Sequence, residues 1–274
     1  MTTDRKQGLV VKIGGTEGVD FQAVCEDAAA IVRSGQQLVL VHGGSAEATA
    51  LGTALGTPPR FITSPSGYTS RYTDRVTLEV FMMAVNGKIN TLLTETLNGL
   101  GVKAFGLSGQ DGSWMVATRK TAIQSVENGK RKLIRDDFSG KIDSVNPSIL
   151  FALLEMGCVP VVAPLARGAE GEALNIDADR AAAEVAAAVK AETLILLTGV
   201  PGLLAHFPDE ASLIQTLKPT ELPQAVEIAQ GRMKKKILGA QEALDGGVGR
   251  VIIADGRIAN PISNALSGAG TWIA

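Results

Sequence analysis

Apolar residues along the chain fall into short unbroken runs that alternate with segments of helical period. Residues 9–13 (LVVKI) predict a buried strand, which runs into the pair Gly14-Gly15. Residues 20–34 predict a helix, because Phe21, Val24, Ala28 and Ile31 recur at spacings of three or four; Ser34-Gly35 closes it. Residues 38–41 (LVLV) predict a second, wholly apolar strand that ends in His42-Gly43-Gly44. A helix over 45–55 follows, stopped by Pro58-Pro59, with Ser45 as its expected N-cap. Strand, helix, strand, helix, with both strands ending in glycines, is the order of an open α/β sheet.

The same reading continues to the far end. Residues 75–98 predict a long helix interrupted by Gly87, which either weakens it or marks a close backbone approach. Strands are expected at 102–107, 159–163, 193–197 and 251–254, and helices at 147–156, 178–190, 221–229 and 232–245. Between them the period changes to two. Residues 118–126 and 130–134 flank Asn128-Gly129, the preferred tight turn of a β-hairpin. The polar, glycine-containing stretch 166–173 (ARGAEGEA) is the expected seam between a first unit, 1–172, and a second, 173–274.

Composition narrows the class. The chain has 274 residues, 45% hydrophobic and 20% charged, so it can bury a large core. Aromatics are only 4%, which leaves aliphatic residues and alanine to fill that core. A net charge of −2 gives no overall basic field for nucleic acid. Two isolated cysteines, Cys25 and Cys158, and two histidines, His42 and His206, form neither a disulfide framework nor a zinc knuckle. No apolar run approaches the length of a membrane span, and no export signal is evident, so a cytoplasmic protein is expected.

The candidate chemistry sits at the strand ends, where open α/β sheets bind ligands. Glycine pairs there either make tight turns or bring backbone N–H groups up to a phosphate. Neither GxxxxGK[ST] nor a GxGxxG after the first strand is present, which sets aside P-loop enzymes and ordinary dinucleotide folds. No GxSxG elbow supports a serine hydrolase. Lys12 lies inside an apolar strand, and a buried lysine needs an anion, unless its ammonium reaches solvent from an edge strand. Asn175, Asp177 and Asp179 alternate in NIDAD before an alanine-rich helix, so they are expected on one face; Asp179 either caps that helix or orients cationic groups. Arg232-Met233-Lys234-Lys235-Lys236 opens another helix, and periodicity does not single out one lysine. Residues 119–141 hold seven basic and three acidic residues, a basic segment on an acidic chain that suits an acidic partner.

Taken in order, VVKIGG (10–15), LVLVHGG (38–44), SRYTDRVTLEV (70–80), GLSGQDG (106–112), LNIDAD (174–179), LLTGVPGLL (196–204) and GRMKKKILGA (231–240) resemble the amino acid kinase family, in its acetylglutamate kinase-like branch. The resemblance implies a three-layer α/β/α sandwich around a mostly parallel sheet, with a β-hairpin over the substrate side. It implies an acyl acceptor held by the first lobe and ATP, with Mg2+, by the second. It assigns Lys12 and Lys236 to the transferring phosphoryl group and Asp179 to organising them. It places Gly43, Gly44, Arg71 and Asn175 on the substrate, and Gly14, Gly15, Thr198, Gly199 and Leu204 on the nucleotide. The chain departs from ordinary acetylglutamate kinases in Ser45, in SRYTDRVTLEV, in Gly199 where Asp or Asn is usual, and in the long basic hairpin.

Those departures look more like the carrier-dependent enzymes that phosphorylate 2-aminoadipate attached to LysW, a small acidic protein, in lysine biosynthesis. Lys120, Lys130, Arg131, Lys132 and Arg135 would then meet the carrier. LysW-bound glutamate or free N-acetylglutamate, on the route to arginine, are the alternative acceptors. A non-catalytic nucleotide-binding regulator is the alternative of another class. A homodimer is the state the family implies; neither a nucleic acid nor a membrane is an expected partner.

Overall fold

The structure, a computed structural model, describes residues 8–15, 18–65, 69–127 and 130–274. In chain order the first half comprises β1 (Leu9–Ile13), α1 (Phe21–Arg33), β2 (Leu38–His42), α2 (Ser45–Ala54), β3 (Phe61–Thr63) and β4 (Thr69–Arg71). A long helix comes next: α3 (Arg75–Met82), a π-helical stretch (Met83–Asn90) and α4 (Thr91–Gly99). Then come β5 (Ala104–Ser108), β6 (Met115–Arg119), β7 (Ile123–Glu127), β8 (Lys130–Ile134), β9 (Gly140–Val145), α5 (Ser148–Glu155), β10 (Val159–Ala163) and β11 (Leu165–Arg167). The remainder is β12 (Ala173–Asn175), α6 (Ala178–Ala188), β13 (Thr193–Thr198), β14 (Thr216–Leu217), α7 (Leu222–Ile228), α8 (Met233–Asp245), β15 (Arg250–Asp255), α9 (Pro261–Leu266) and β16 (Thr271–Ile273).

Among the described residues the main sheet has the order β14-β16-β15-β13-β1-β2-β10-β5. Its pairs are parallel except β15 with β16. β1 sits at its centre, paired with β2 on one side and β13 on the other. The pleat divides each strand between two cores. Val10, Val39 and Val41 join the core that includes residues of α6 and α8, while Leu9, Val11, Ile13, Leu38 and Leu40 join the one that includes residues of α1, α4 and α9. This is the α/β/α sandwich. A second sheet, β12-β11-β6-β9, and the separate pairs β3-β4 and β7-β8 lie outside it.

Several expectations change. β7 begins at Ile123, so the hairpin's first arm is shorter than 118–126; Thr118 belongs to β6, paired with Lys141 in another sheet. The Asn128-Gly129 turn and the Lys130 side chain lie outside the described residues. Residues 168–172 form the turn of an antiparallel pair, with Leu165 opposite Asn175 and Arg167 opposite Ala173. Gly87 is exposed and a Cβ there would meet nothing, so close approach does not explain it. The N-cap of α2 is Gly44, and Ser45 is the first helical residue. Beyond 254 the chain adds α9 and β16, too short for a periodic signal. No helix among the described residues is long and apolar enough to cross a membrane.

Candidate active site

The pleat that sorts the two cores also aims Lys12. It shares a face with Val10, toward α6 and α8, and is 4% exposed. Asp177 caps α6 by accepting from the N–H groups of Asp179 and Arg180, at 3.0 and 3.3 Å. Capping by Asp177 leaves the Asp179 carboxylate, in the first turn, to face the sheet. It meets Lys12 Nζ at 2.8 Å and Lys236 Nζ at 3.0 Å on both oxygens. Periodicity leaves the choice in MKKK open, and burial makes it: Lys236 is 7% exposed, whereas Lys235 is half-buried and pairs with Asp177 at 3.4 Å. Asn175, Asp177 and Asp179 therefore do not share one extended face, because α6 begins between them.

The electrostatics follow from two cations around one buried anion. Burial alone would raise the Asp179 pKa, but Lys12 and Lys236 hold its carboxyl far below the usual range. Burial lowers the Lys236 pKa, Asp179 offsets part of that shift, Lys12 opposes the offset, and together they leave it at about 8. With all three groups ionised the cluster has a surplus positive charge. Unlike a paired buried lysine, it is built to take a further anion.

The glycine pairs converge beside Lys12. A Cβ on Gly15 would collide with the backbone of Gly43 and Gly44, and one on Gly43 would come within 2.8 Å of Gly15. A Cβ on Gly44 would meet Val85 at 2.6 Å, and one on Gly14 the Leu197 carbonyl at 3.0 Å. Close contact with the chain thus explains all four glycines; the Gly43 N–H donates to the Ile13 carbonyl at 3.0 Å, whereas the Gly44 N–H has no acceptor among the described residues. Gly109, the residue after β5, is fixed by Met115 and the Leu165 carbonyl.

Arg71, delivered by the β3-β4 pair, is 8% exposed. Its Nη2 donates to the Ser45 carbonyl and Thr49 Oγ1, both at 2.8 Å, and to Ser45 Oγ at 3.3 Å. This contact with the start of α2 accounts for Ser45. Burial lowers the Arg71 pKa, and the nearby Arg232 adds to the effect. Asn175 donates to Thr73 Oγ1 at 3.0 Å, two residues from Arg71.

On the other side, Lys236 helps line a cavity of about 350 Å3 with Thr198, Leu203, Leu204, Phe207, Gly231, Arg232 and Met233. Gly199 adjoins it without lining it. The sequence reading misses Phe207, whose signal is an aromatic residue left 54% exposed. Asp136 accepts from the Tyr72 hydroxyl at 2.6 Å and Asp137 from the Thr73 N–H at 2.8 Å, tying the hairpin's base to the segment after Arg71. Arg131, Lys132 and Arg135 are exposed on the hairpin and its exit. Lys120 is exposed too; partial burial lowers its pKa, and Arg180, Asp137, Lys235 and Asp177 are its charged neighbours. Among the described residues no group of three or more His, Cys, Asp or Glu forms a metal site.

A buried lysine–aspartate–lysine cluster thus lies at the centre of an α/β/α sheet, flanked by glycine loops. The family model described as "Amino acid kinase family" matches residues 7–255, and the chain belongs to that family. Its sequence lies in the branch of the LysW-aminoadipate kinases. It is 52% identical to the LysW-aminoadipate kinase of Deinococcus radiodurans over 97% of this chain and 91% of that one. It is 51% identical to the enzyme of the same name from Thermus thermophilus, over 97% and 99%. Among solved structures, the N-acetylglutamate synthase of Neisseria gonorrhoeae superposes with a TM-score of 0.80 at 27% identity; this chain is matched over 98% of its length and spans 60% of that one.

Proposed function

We propose that the chain is an ATP-dependent kinase that phosphorylates the side-chain carboxylate of 2-aminoadipate held, through its α-amino group, on a small acidic LysW-like carrier. The observation that carries the phosphoryl-transfer reading is the surplus positive charge of the Lys12–Asp179–Lys236 cluster, buried between two glycine loops and a nucleoside-sized cavity. A carboxylate is ionised at neutral pH and needs no general base. Its oxygen forms a bond to the γ-phosphorus of ATP. The bond from that phosphorus to the β,γ-bridging oxygen breaks, and its electron pair leaves with ADP; the product is an acyl phosphate. Lys12 and Lys236 balance charge on the transferring group, and Asp179 keeps the two ammoniums apart and aimed. Thr198, Gly199 and Leu204 adjoin the nucleoside end, with Gly14 and Gly15 at the phosphates. Arg71 and Asn175 hold the acceptor's backbone-side groups.

Among the described residues there is no carboxylate cage, so Mg2+ would fit as an ion held by the nucleotide's phosphates, where it would neutralise charge. In this reading the first lobe, 1–172, serves the acceptor and carrier, and the second, 173–274, serves ATP. The exposed cations of the hairpin region support an acidic carrier. The edge strand β5, with Phe105 half-exposed, supports a homodimer, which light scattering would test. A cytoplasmic location belongs to the same proposal.

The deciding experiment measures ADP release with hydroxylamine trapping of the acyl phosphate, with LysW-linked aminoadipate, LysW-linked glutamate and free N-acetylglutamate offered in parallel. Turnover confined to a carrier conjugate supports the proposal, and the ratio of the two conjugates sets the acceptor. Equal kcat/KM on free N-acetylglutamate would replace it with the second reading, which a 36% identity to the acetylglutamate kinase of Desulfitobacterium hafniense favours.

A further inference from the structure

His42 lies on the other face of β2 from Val41, is fully buried, and has no part in the cluster around Asp179. Both its ring nitrogens are engaged. Nδ1 is 2.9 Å from the Gly43 carbonyl oxygen, and Nε2 is 3.0 Å from Nδ2 of Asn90. A carbonyl only accepts, so Nδ1 carries the proton and Nε2 is an acceptor. Asn90 Nδ2 also donates to the Val161 carbonyl at 2.8 Å, which fixes its amide as the donor and uses both its hydrogens. Each partner therefore determines the other, and the imidazole is held neutral in a single tautomer.

The bond to Gly43 reaches further than a satisfied core histidine needs. The Gly43 carbonyl and the Gly44 N–H belong to one planar trans peptide, so holding the carbonyl on one side points the N–H to the other. That N–H has no acceptor among the described residues. It lies beside Gly15 and at the start of α2, where the helix contributes partial positive charge. Asn90 is itself placed by the π-helical stretch Met83–Asn90, whose Val85 and Ile89 press on Gly44 from outside. A π turn inserts a residue into the helix and rotates the next turns about the axis.

We propose that His42, held by Asn90, is a positioning residue: it orients the Gly43–Gly44 peptide so that the Gly44 N–H is preset to donate to the phosphoryl group in transit. This rests on the kinase reading above. His42 touches no reacting atom and acts through the peptide it holds.

The variants separate orientation from packing. In His42→Asn the amide nitrogen takes the place of Nδ1 and can still donate to Gly43. His42→Gln can reach Asn90 but gives no donor to Gly43, and His42→Leu loses both. On whichever acceptor the wild type turns over, kcat for His42→Leu and His42→Gln falls about tenfold or more, with the KM for ATP held within about threefold; His42→Asn recovers most of the loss. Melting curves confirm that the variants are folded. In parallel, the Gly44 amide resonance is followed while ADP, Mg2+ and aluminium fluoride are added. It moves in the wild type and fails to move in His42→Leu.

Retention of kcat within twofold by folded His42→Leu, or losses that follow melting temperature rather than the donor to Gly43, overturns the positioning role and leaves the kinase reading standing. If the wild type turns over no acceptor, the kinase reading falls. The amide titration then decides the orientation alone: a response lost in His42→Leu supports it, and an equal response, or none, overturns it.

Discussion

Lys236 is a buried ammonium whose charge depends on what surrounds it. Burial and its charged neighbours set its pKa at about 8 in the free protein, so it is charged below that pH and neutral above it. If that charge stabilises the transferring phosphoryl group, kcat/KM for ATP falls as pH rises through about 8. Bound phosphates favour the ammonium, so kcat itself holds to higher pH; a pH–rate series for both constants checks the split. Lys236→Met keeps the volume and removes the charge, and kcat is expected to fall by about 10²- to 10³-fold with the fold intact. Kinetics beside a melting curve would read both.

At this scale much of the site is legible in advance. A lysine in an otherwise apolar strand is conspicuous, and a buried charge calls for a partner. Asp179 is ambiguous because Asp177 and Asp179 are equally good caps on paper; only the φ/ψ values at the helix start decide which one turns outward. His42 and Asn90 are not legible. Their link runs through one side chain on a strand and one on a helix 48 positions away, and nothing local encodes it.

At the scale of elements, the long apolar runs predict themselves. β1 and β10 match the sequence reading residue for residue, because fully buried parallel strands need continuous apolar stretches. The three-residue strands do not. β3, β4, β11 and β12 are too short to show a period, and pairing alone defines them. The π stretch is equally silent, since its sequence MAVNGKIN reads as ordinary helix. Within it, Gly87 is exposed and unobstructed. Gly87→Ala should stabilise the protein by about 1 kcal/mol, through lost freedom in the unfolded chain, without altering kcat. Thermal unfolding would show it as a rise in Tm; a lowered Tm would mean that the π turn needs glycine.

At the scale of the molecule, charge is unevenly distributed. Arg131 and Lys132 stand exposed on β8, while the whole chain is acidic. Reversing both to Glu should raise KM for a carrier-linked acceptor at low salt and leave kcat nearly unchanged, and the difference should shrink as ionic strength rises. The same variant should treat free N-acetylglutamate as the wild type does. Kinetics at two salt concentrations would test both statements. The hairpin is tied through Asp136 and Asp137 to Tyr72 and Thr73, so a partner gripping it would press on the segment that carries Arg71.

The central place of β1 has a consequence for how the protein is made. Its neighbour β2 follows within 40 residues, but β13 lies more than 180 positions further along. Lys12 therefore has its strand early, during synthesis, and waits for Asp179 and Lys236 until most of the chain has emerged. Such high contact order slows folding and leaves a strand edge open meanwhile. A product truncated in the turn at 168–172 would keep that edge bare along Leu9–Ile13 and should aggregate, whereas co-expression with the missing half should restore soluble protein.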